Sequence, residues 1–288
     1  LKYSEILNSF DSGATTKITI NNRRMDKREI ARDILLPYRE DELDEYRKEY
    51  NQILLSKAVG TTAIVQDKYL TVSVFKNSIE DARSYFARVG AELQIHFNKL
   101  GSKLMELDAS ERLQILFNFY RIGEESLFSF DLEDYARKGH SFKDYISPDS
   151  IEVFDDYFKL GEKYGRVMFL KDYAAYIKDD MITELTDISR NLMLSIDVIP
   201  IPTDEAVREV ENRMLGVETN AANWQRRQNA NNNFTAVLPY DMELQRKETK
   251  EFLEDLTTRD QRMMFAVLTV VHMADSKKQL DEDTEAIK

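Results

Sequence analysis

The chain is predicted to be an α+β protein of two α/β sandwich lobes, and three observations predict it. Residues 16 to 107 read β, α, β, β, α, β, the order of a ferredoxin-like fold in which two helices cover one face of an antiparallel sheet. Residues 192 to 271 read as a strand, a long helical crossover and another strand, the makings of a mixed sheet. The 288 residues, 42% of them hydrophobic, are enough for one large core or two ordinary ones. The expected division is a ferredoxin-like lobe at 1–122, a connector at 123–150 and a second α/β lobe at 151–288.

In chain order, Lys17 to Asn21 places Ile18 and Ile20 on one face after the turn-like Asp11-Ser12-Gly13, a strand signal. From Asp41, the residues Leu43, Tyr46, Tyr50, Ile53 or Leu54, and Ala58 recur at three or four, which predicts a helix stopped at Gly60. Thr61–Gln66 and Tyr69–Phe75 flank Asp67-Lys68 and read as a hairpin, although Asp-Lys is a poor pair for a primed turn. Ser78, with Asp81 three residues on, opens a helix striped by Ile79, Ala82, Phe86, Val89, Leu93, Phe97 and Leu100, ending at Gly101. A short strand is expected at 103–107, and Asp108 with Glu111 caps a helix carrying Leu113, Leu116, Phe117 and Tyr120.

Residues 122 to 149 lose this periodicity and are read as the connection between lobes. Strands follow at 151–158 and 165–171, then a helix from about Ala174 to Arg190. Leu192, Leu194, Ile196 and Val198 alternate as a half-buried strand stopped by Pro200 and Pro202. Thr203 stands at the N-cap position of the next helix, with Val207, Val210 and Met214 on its apolar face. Met263 to Val271 is apolar on both alternating faces, as a central strand covered on both sides requires. Ser276 and Gln279 form the signature of a last capping box.

Composition narrows the function. With 52 acidic against 40 basic residues and a net charge of −12, a whole-surface affinity for nucleic acid or acidic lipid is disfavoured, though a local basic patch is not. The absence of cysteine removes disulfides, thiolate metal sites and cysteine nucleophiles, and fits a reducing, cytoplasmic setting. No apolar run approaches the roughly 20 residues of a membrane span. The chain starts at Leu1 and stops at Lys288 within a helical pattern, so it is expected to be a piece of a longer protein.

Motifs for catalysis are missing. No glycine stands five residues before another and no Gly-Lys occurs, so the Walker phosphate loop is absent; Gly161 and Gly165 do not make the dinucleotide fingerprint. His96, His140 and His272 belong to no metal-binding spacing and read as structural. Asp281, Asp283 and Glu285 lack the glycine of a calcium loop and read as a solvated helix face. No G-x-S-x-G elbow is present, and a working carboxylate pair is not located by sequence. Catalytic, cofactor and metal residues are therefore assigned to none.

The least ordinary stretch is Trp224-Gln225-Arg226-Arg227-Gln228 followed by asparagines. It holds the single tryptophan and two adjacent guanidinium groups, suited to phosphate, base or protein recognition. The plainer alternative is that Trp224 packs its helix while the arginines pair with nearby acids. Arg23 and Arg24, after Asn21-Asn22, carry a similar signal, explained equally by a strand end.

Several longer segments carry a resemblance: SGATTKITINNRR, KYLTVSVFKNSIEDARSYF, KDYISPDS, SIDVIPIPTDEAVREVE, NWQRRQNANNNF, LPYDMELQRKETKEFL and RDQRMMFAVLTVVHMAD. Together with Lys171-Asp172-Tyr173 and Ile182 to Glu184, they resemble the N-terminal region of conjugation and type IV secretion ATPases of the CagE, TrbE and VirB-four class, in versions from Gram-positive mobile elements. The resemblance implies a cytoplasmic motor, peripheral at the inner face of the membrane, whose carboxyl-terminal half carries the Walker motifs and binds ATP and magnesium. It further implies that the N-terminal region docks to other secretion-channel subunits and contributes to self-association of the full-length protein. This chain lacks the Walker half, so hydrolysis passes to none of its residues. A single-stranded nucleic-acid-binding module using Trp224, Arg226 and Arg227 is the rival expectation.

Overall fold

A computed structural model describes residues 2–24, 34–60, 64–139, 141–173, 180–188, 190–259 and 261–288. The protein is α+β, with one seven-stranded antiparallel sheet and helices. The first half contributes α1 (Lys2–Asn8), β1 (Ala14–Arg24), α2 (Asp44–Gly60), β2 (Ile64–Val74), α3 (Ile79–Lys99) and α4 (Ala109–Tyr120). Then come α5 (Leu132–Lys138), α6 (Phe142–Ile146), β3 (Ile151–Val153), β4 (Phe158–Leu160), β5 (Lys163–Phe169) and α7 (Asp180–Thr186). The chain continues with β6 (Asn191–Pro200), α8 (Thr203–Ala230), α9 (Tyr240–Thr257), β7 (Met264–Ala274) and α10 (Lys277–Ile287). Strand order is β2-β1-β6-β7-β5-β4-β3.

The α+β class predicted from sequence is found, but its finer divisions differ. The expected hairpin at Asp67-Lys68 is one strand, β2, running straight through the pair. Asp67 accepts a hydrogen bond from Arg23 Nε at 2.6 Å, so the polar pair is satisfied within the sheet, and Asp-Lys supplies no residue suited to a primed turn. Residues 103–107 are not a strand. The β-α-β-β-α-β order is therefore not formed, and the region donates two strands to a shared sheet in place of a ferredoxin-like sheet of its own. The expected strand 151–158 is likewise two short strands, β3 and β4, which pair antiparallel through Ile151↔Leu160 and Val153↔Phe158.

The helical excursion after β6 is not a crossover to a parallel strand. Helices α8 and α9 pack on each other as an out-and-back hairpin, and Ile201 N bonds to Met263 O at 2.9 Å, so the chain returns to where it left. β6 and β7 are consequently antiparallel neighbours, and the sheet is not mixed. Thr203, expected as an N-cap, is instead the first residue of α8; Pro202 precedes it and no side chain caps the helix.

Contacts divide the chain into two units, one of residues 1–16, 72–104 and 197–266, the other of 17–71, 105–196 and 267–288. Neither coincides with the ranges 1–122 or 151–288. In the first unit, Ala206 and Val210 of α8 and Leu256 of α9 form a core with Ile201, Val207, Leu253 and Met263. In the second, Ile20, Leu192, Leu194, Leu268 and Val270 are covered by Met181, Ile182 and Leu185 of α7 and Ile287 of α10. Full burial of a leucine such as Leu192 or Leu194 contributes about 1.5–3 kcal/mol.

Local signals explain the helix ends. Ser78 Oγ accepts from Asp81 N at 3.1 Å, and Asp108 and Glu111 form the reciprocal capping box. Gly101 adopts φ 76°, the left-handed geometry that stops a helix. The stretch 123–150, expected to be an irregular connector, contains α5 and α6, whose few residues are too short to show a period. Asp131 and Ser141 cap them, and Tyr135 stacks on Phe142 at 4.4 Å beside Phe130 and Tyr145. Of the helix expected over 174–190, residues 174–179 and 189 lie outside the described residues and α7 is the described part.

Candidate functional site

The α8–α9 hairpin positions the site. Along α8 the covered residues Val210, Met214, Val217, Ala221, Trp224 and Gln228 step by four and three, a seam that faces Met242, Thr249, Leu253 and Leu256 of α9. The pairing of Arg246 Nε with Glu218 Oε1 at 2.7 Å fixes the register midway. With 28 residues, α8 is about 42 Å long, so its last turns and the start of α9 lie far from the Ala206–Leu256 core.

At that far end the chain reverses through asparagines. Asn231 N bonds to Arg227 O and Asn233 N to Gln228 O, while Asn232 takes φ 58°, a conformation asparagine tolerates better than most side chains. The asparagine tract is thus a helix stop and turn. Past it, Phe234, Val237 and Tyr240 remain 69%, 81% and 75% exposed. Apolar side chains left in water at a helical tip await a cover.

The five sequence-selected residues separate. Trp224 is half-buried on α8. Arg226 and Arg227 are exposed, and among the described residues neither has a carboxylate partner, contrary to the expectation that they pair with nearby acids. Arg23 belongs to the other unit, on β1, and is bound to Asp67. The side chain of Arg24 lies outside the described residues. Sequence reasoning missed Phe234, Val237 and Tyr240; the available signal was three large apolar residues inside an asparagine- and proline-marked turn.

Two other polar clusters bring titratable side chains together. The first surrounds His272, which is fully buried. Thr284 Oγ1 donates to Leu280 O at 2.7 Å, accepts from Arg166 Nη1 at 2.6 Å and lies 3.1 Å from His272 Nε2. The threonine hydrogen is thereby used, so Nε2 carries the imidazole proton and Nδ1 is left without a partner among the described residues. Burial pushes His272 below its ordinary pKa, against the pull of Asp283 and together with the repulsion of Arg166. The ring is enclosed by its own unit, 0% exposed. Asp281 and Glu285 are exposed, as expected of a solvated face, with Asp281 accepting from Arg166 at 2.8 Å; Asp283 departs from it, being buried and accepting from Arg190 at 2.7 Å. Together these bonds fasten α10 to its unit.

The second cluster lines a cavity of about 70 Å³ with Asp11, Tyr85, Arg88, Glu92 and Arg262. Tyr85 Oη donates to Asp11 at 3.2 Å, Arg262 donates to Phe10 O, and burial followed by the Asp11 charge raises the Tyr85 pKa. That volume admits a few waters and no sizeable substrate. Among the described residues, no three His, Cys, Asp or Glu side chains gather as a metal-binding group. His96 is half-buried on α3, and His140 lies outside the described residues. Among the described residues, no helix is long and apolar enough to cross a membrane.

No protein-family model matches this chain, and no curated protein matches it.

Proposed function

We propose that this chain is a non-catalytic docking and assembly domain of a type IV secretion motor ATPase, acting at the cytoplasmic face of a conjugation channel and holding the end of the α8–α9 hairpin against another channel subunit. Its support is the sequence resemblance together with one observation: the hairpin end combines Phe234, Val237 and Tyr240 in water with the unpaired guanidinium groups of Arg226 and Arg227. An exposed aromatic and arginine group of this kind is what protein interfaces use as anchors. ATP and magnesium belong, on this reading, to a Walker-bearing segment of the parent protein.

The rival reading, a single-stranded nucleic-acid-binding module, draws on the same arginines. Trp224 is half-buried, which limits the ring surface it offers to bases, and the net charge of −12 disfavours a phosphate backbone.

The test is conjugative transfer in cells carrying the full-length gene with Arg226→Glu and Arg227→Glu. Both residues are exposed without partners, so the folded protein should be unchanged within about 0.5 kcal/mol. Transfer should nonetheless fall by at least tenfold at equal protein level. Wild-type transfer would refute the hairpin as the docking surface. Salt-sensitive retention of the unaltered chain on single-stranded DNA, lost in the double variant, would favour the rival.

A further inference from the structure

We propose that helix α2 pairs antiparallel with α2 of a second copy of this chain. Sequence periodicity sets Leu43, Tyr46, Tyr50, Ile53 or Leu54, and Ala58 on one helical line, yet Leu43, Tyr46, Tyr50 and Ile53 are 55%, 70%, 51% and 46% exposed. Leu43 immediately precedes the helix, and its carbonyl accepts the first helical bond, from Arg47 N at 3.0 Å. The covered side of α2 is instead a polar seam. Asn51, itself buried, accepts from Leu36 N at 2.8 Å and donates to Leu36 O at 2.9 Å. Arg47 pairs with Asp41 Oδ1 at 2.5 Å and with Asp44. The helix is thus anchored by hydrogen bonds while its apolar side faces water.

The occupant is argued from the pattern of that side. The spacing 3, 4, 3 is the seam of a two-helix coiled coil. Its order, aliphatic, tyrosine, tyrosine, aliphatic, is nearly palindromic. Antiparallel pairing about a twofold axis near residue 48 sets Leu43 against Ile53 of the second copy and Tyr46 against Tyr50, a self-complementary contact of the isologous kind. The four side chains expose roughly 400 Å² in each copy. Twice that area is below the ~1,200 Å² of stable complexes, which places the pairing in the transient, micromolar class. Charge works mildly against it. Arg47 is already neutralised by two aspartates, and exposed Glu49 lies near its counterpart across the axis. Removing that repulsion should tighten the dimer.

The experiment exploits the lack of cysteine in the chain. Two single variants, Leu43→Cys and Ile53→Cys, are mixed and oxidised. Antiparallel pairing gives a disulfide-linked heterodimer in large excess over either homodimer, because only the mixed pair brings the thiols within bonding reach. Equal or greater homodimer formation would overturn the antiparallel register. Sedimentation of the unaltered chain up to several hundred micromolar should show reversible dimerisation. Tyr46→Ala with Tyr50→Ala should weaken it by at least tenfold, and Glu49→Gln should strengthen it severalfold. A strictly monomeric chain giving no cross-link would overturn the proposal. Circular dichroism checks that each variant is folded. The pairing is read from α2 alone, so its failure leaves the hairpin reading untouched.

Discussion

Gly165 offers the sharpest quantitative test of the fold. It lies on β5 opposite Phe158 of β4 on one side and Met273 of β7 on the other. A β-carbon there would come within 2.3 Å of Phe158 Cζ and 2.5 Å of Met273 Sδ, distances at which atoms must move. The methionine sulfur can swing aside, but the phenylalanine ring is stiff, so the strand or the ring must shift. Overpacking of this kind costs about 1–3 kcal/mol. Against it stands the entropy gain of replacing a strand glycine by alanine, about 0.5–1 kcal/mol. Gly165→Ala should therefore destabilise by about 1–2 kcal/mol net, or roughly 3–6 °C in melting midpoint for a unit of this size. Thermal and urea melts followed by circular dichroism measure it. Adding Phe158→Leu removes the ring that meets the new methyl, and the double variant should be more stable than the sum of the single changes by about 1 kcal/mol. If Gly165→Ala melts at or above the parent temperature, the packing of β4 on β5 described above is wrong.

The remaining predictions concern a titration and a cap. Because burial holds His272 below its ordinary pKa, the unfolded chain takes up its proton first as pH falls. Stability should therefore decline from just above pH 6.5 downward until the folded-state pKa is passed, and then level off for this group. Urea melts from about pH 7.5 to 5 should therefore show a smaller slope in His272→Gln than in the parent, whatever the offset between them. An equal slope in both would assign the decline elsewhere. Asp108→Ala removes the side chain that accepts from Glu111 N at 2.8 Å and should cost about 1 kcal/mol by the same melts, with Asp108→Asn costing clearly less.

Sequence was most informative where the controlling physics is local. The caps at Ser78 and Asp108 and the stop at Gly101 depend on residues within one turn, and each was placed correctly. Alternation in β6 was equally legible, with Leu192, Leu194 and Val198 buried as the pattern required. Failure began where distant partners decide. Nothing within Asp67-Lys68 announces that Arg23 will hold the aspartate in a continuous strand, and nothing near Asp283 announces Arg190. The direction of β7 relative to β6 was misread because two helices in sequence form either a crossover or a hairpin. The choice depends on the faces that α8 and α9 present to each other, not on their number.

Helices α3 and α2 show why the candidate surfaces were only half visible. Both carry an apolar stripe, which sequence uses to place the helix. In α3 Val89 and Leu93 of the predicted stripe are buried and Tyr85 joins them, while Phe86 and Ile79 remain in water. In α2 Asn51 is buried, while Leu43, Tyr46, Tyr50 and Ile53 are outside. A stripe records that some surface must meet it, because hydration of that area is unfavourable, but it carries no label for whether that surface belongs to the same chain. The distinction comes only from the fold, which leaves Tyr46 and Tyr50 on α2, and Phe234 and Tyr240 at the hairpin end, more than half exposed. A surface assigned on that ground must lose its partner when made polar while the chain stays folded, whereas a core residue loses both together, and Tyr50→Asp against Leu194→Asp is the pair of substitutions that separates the two cases.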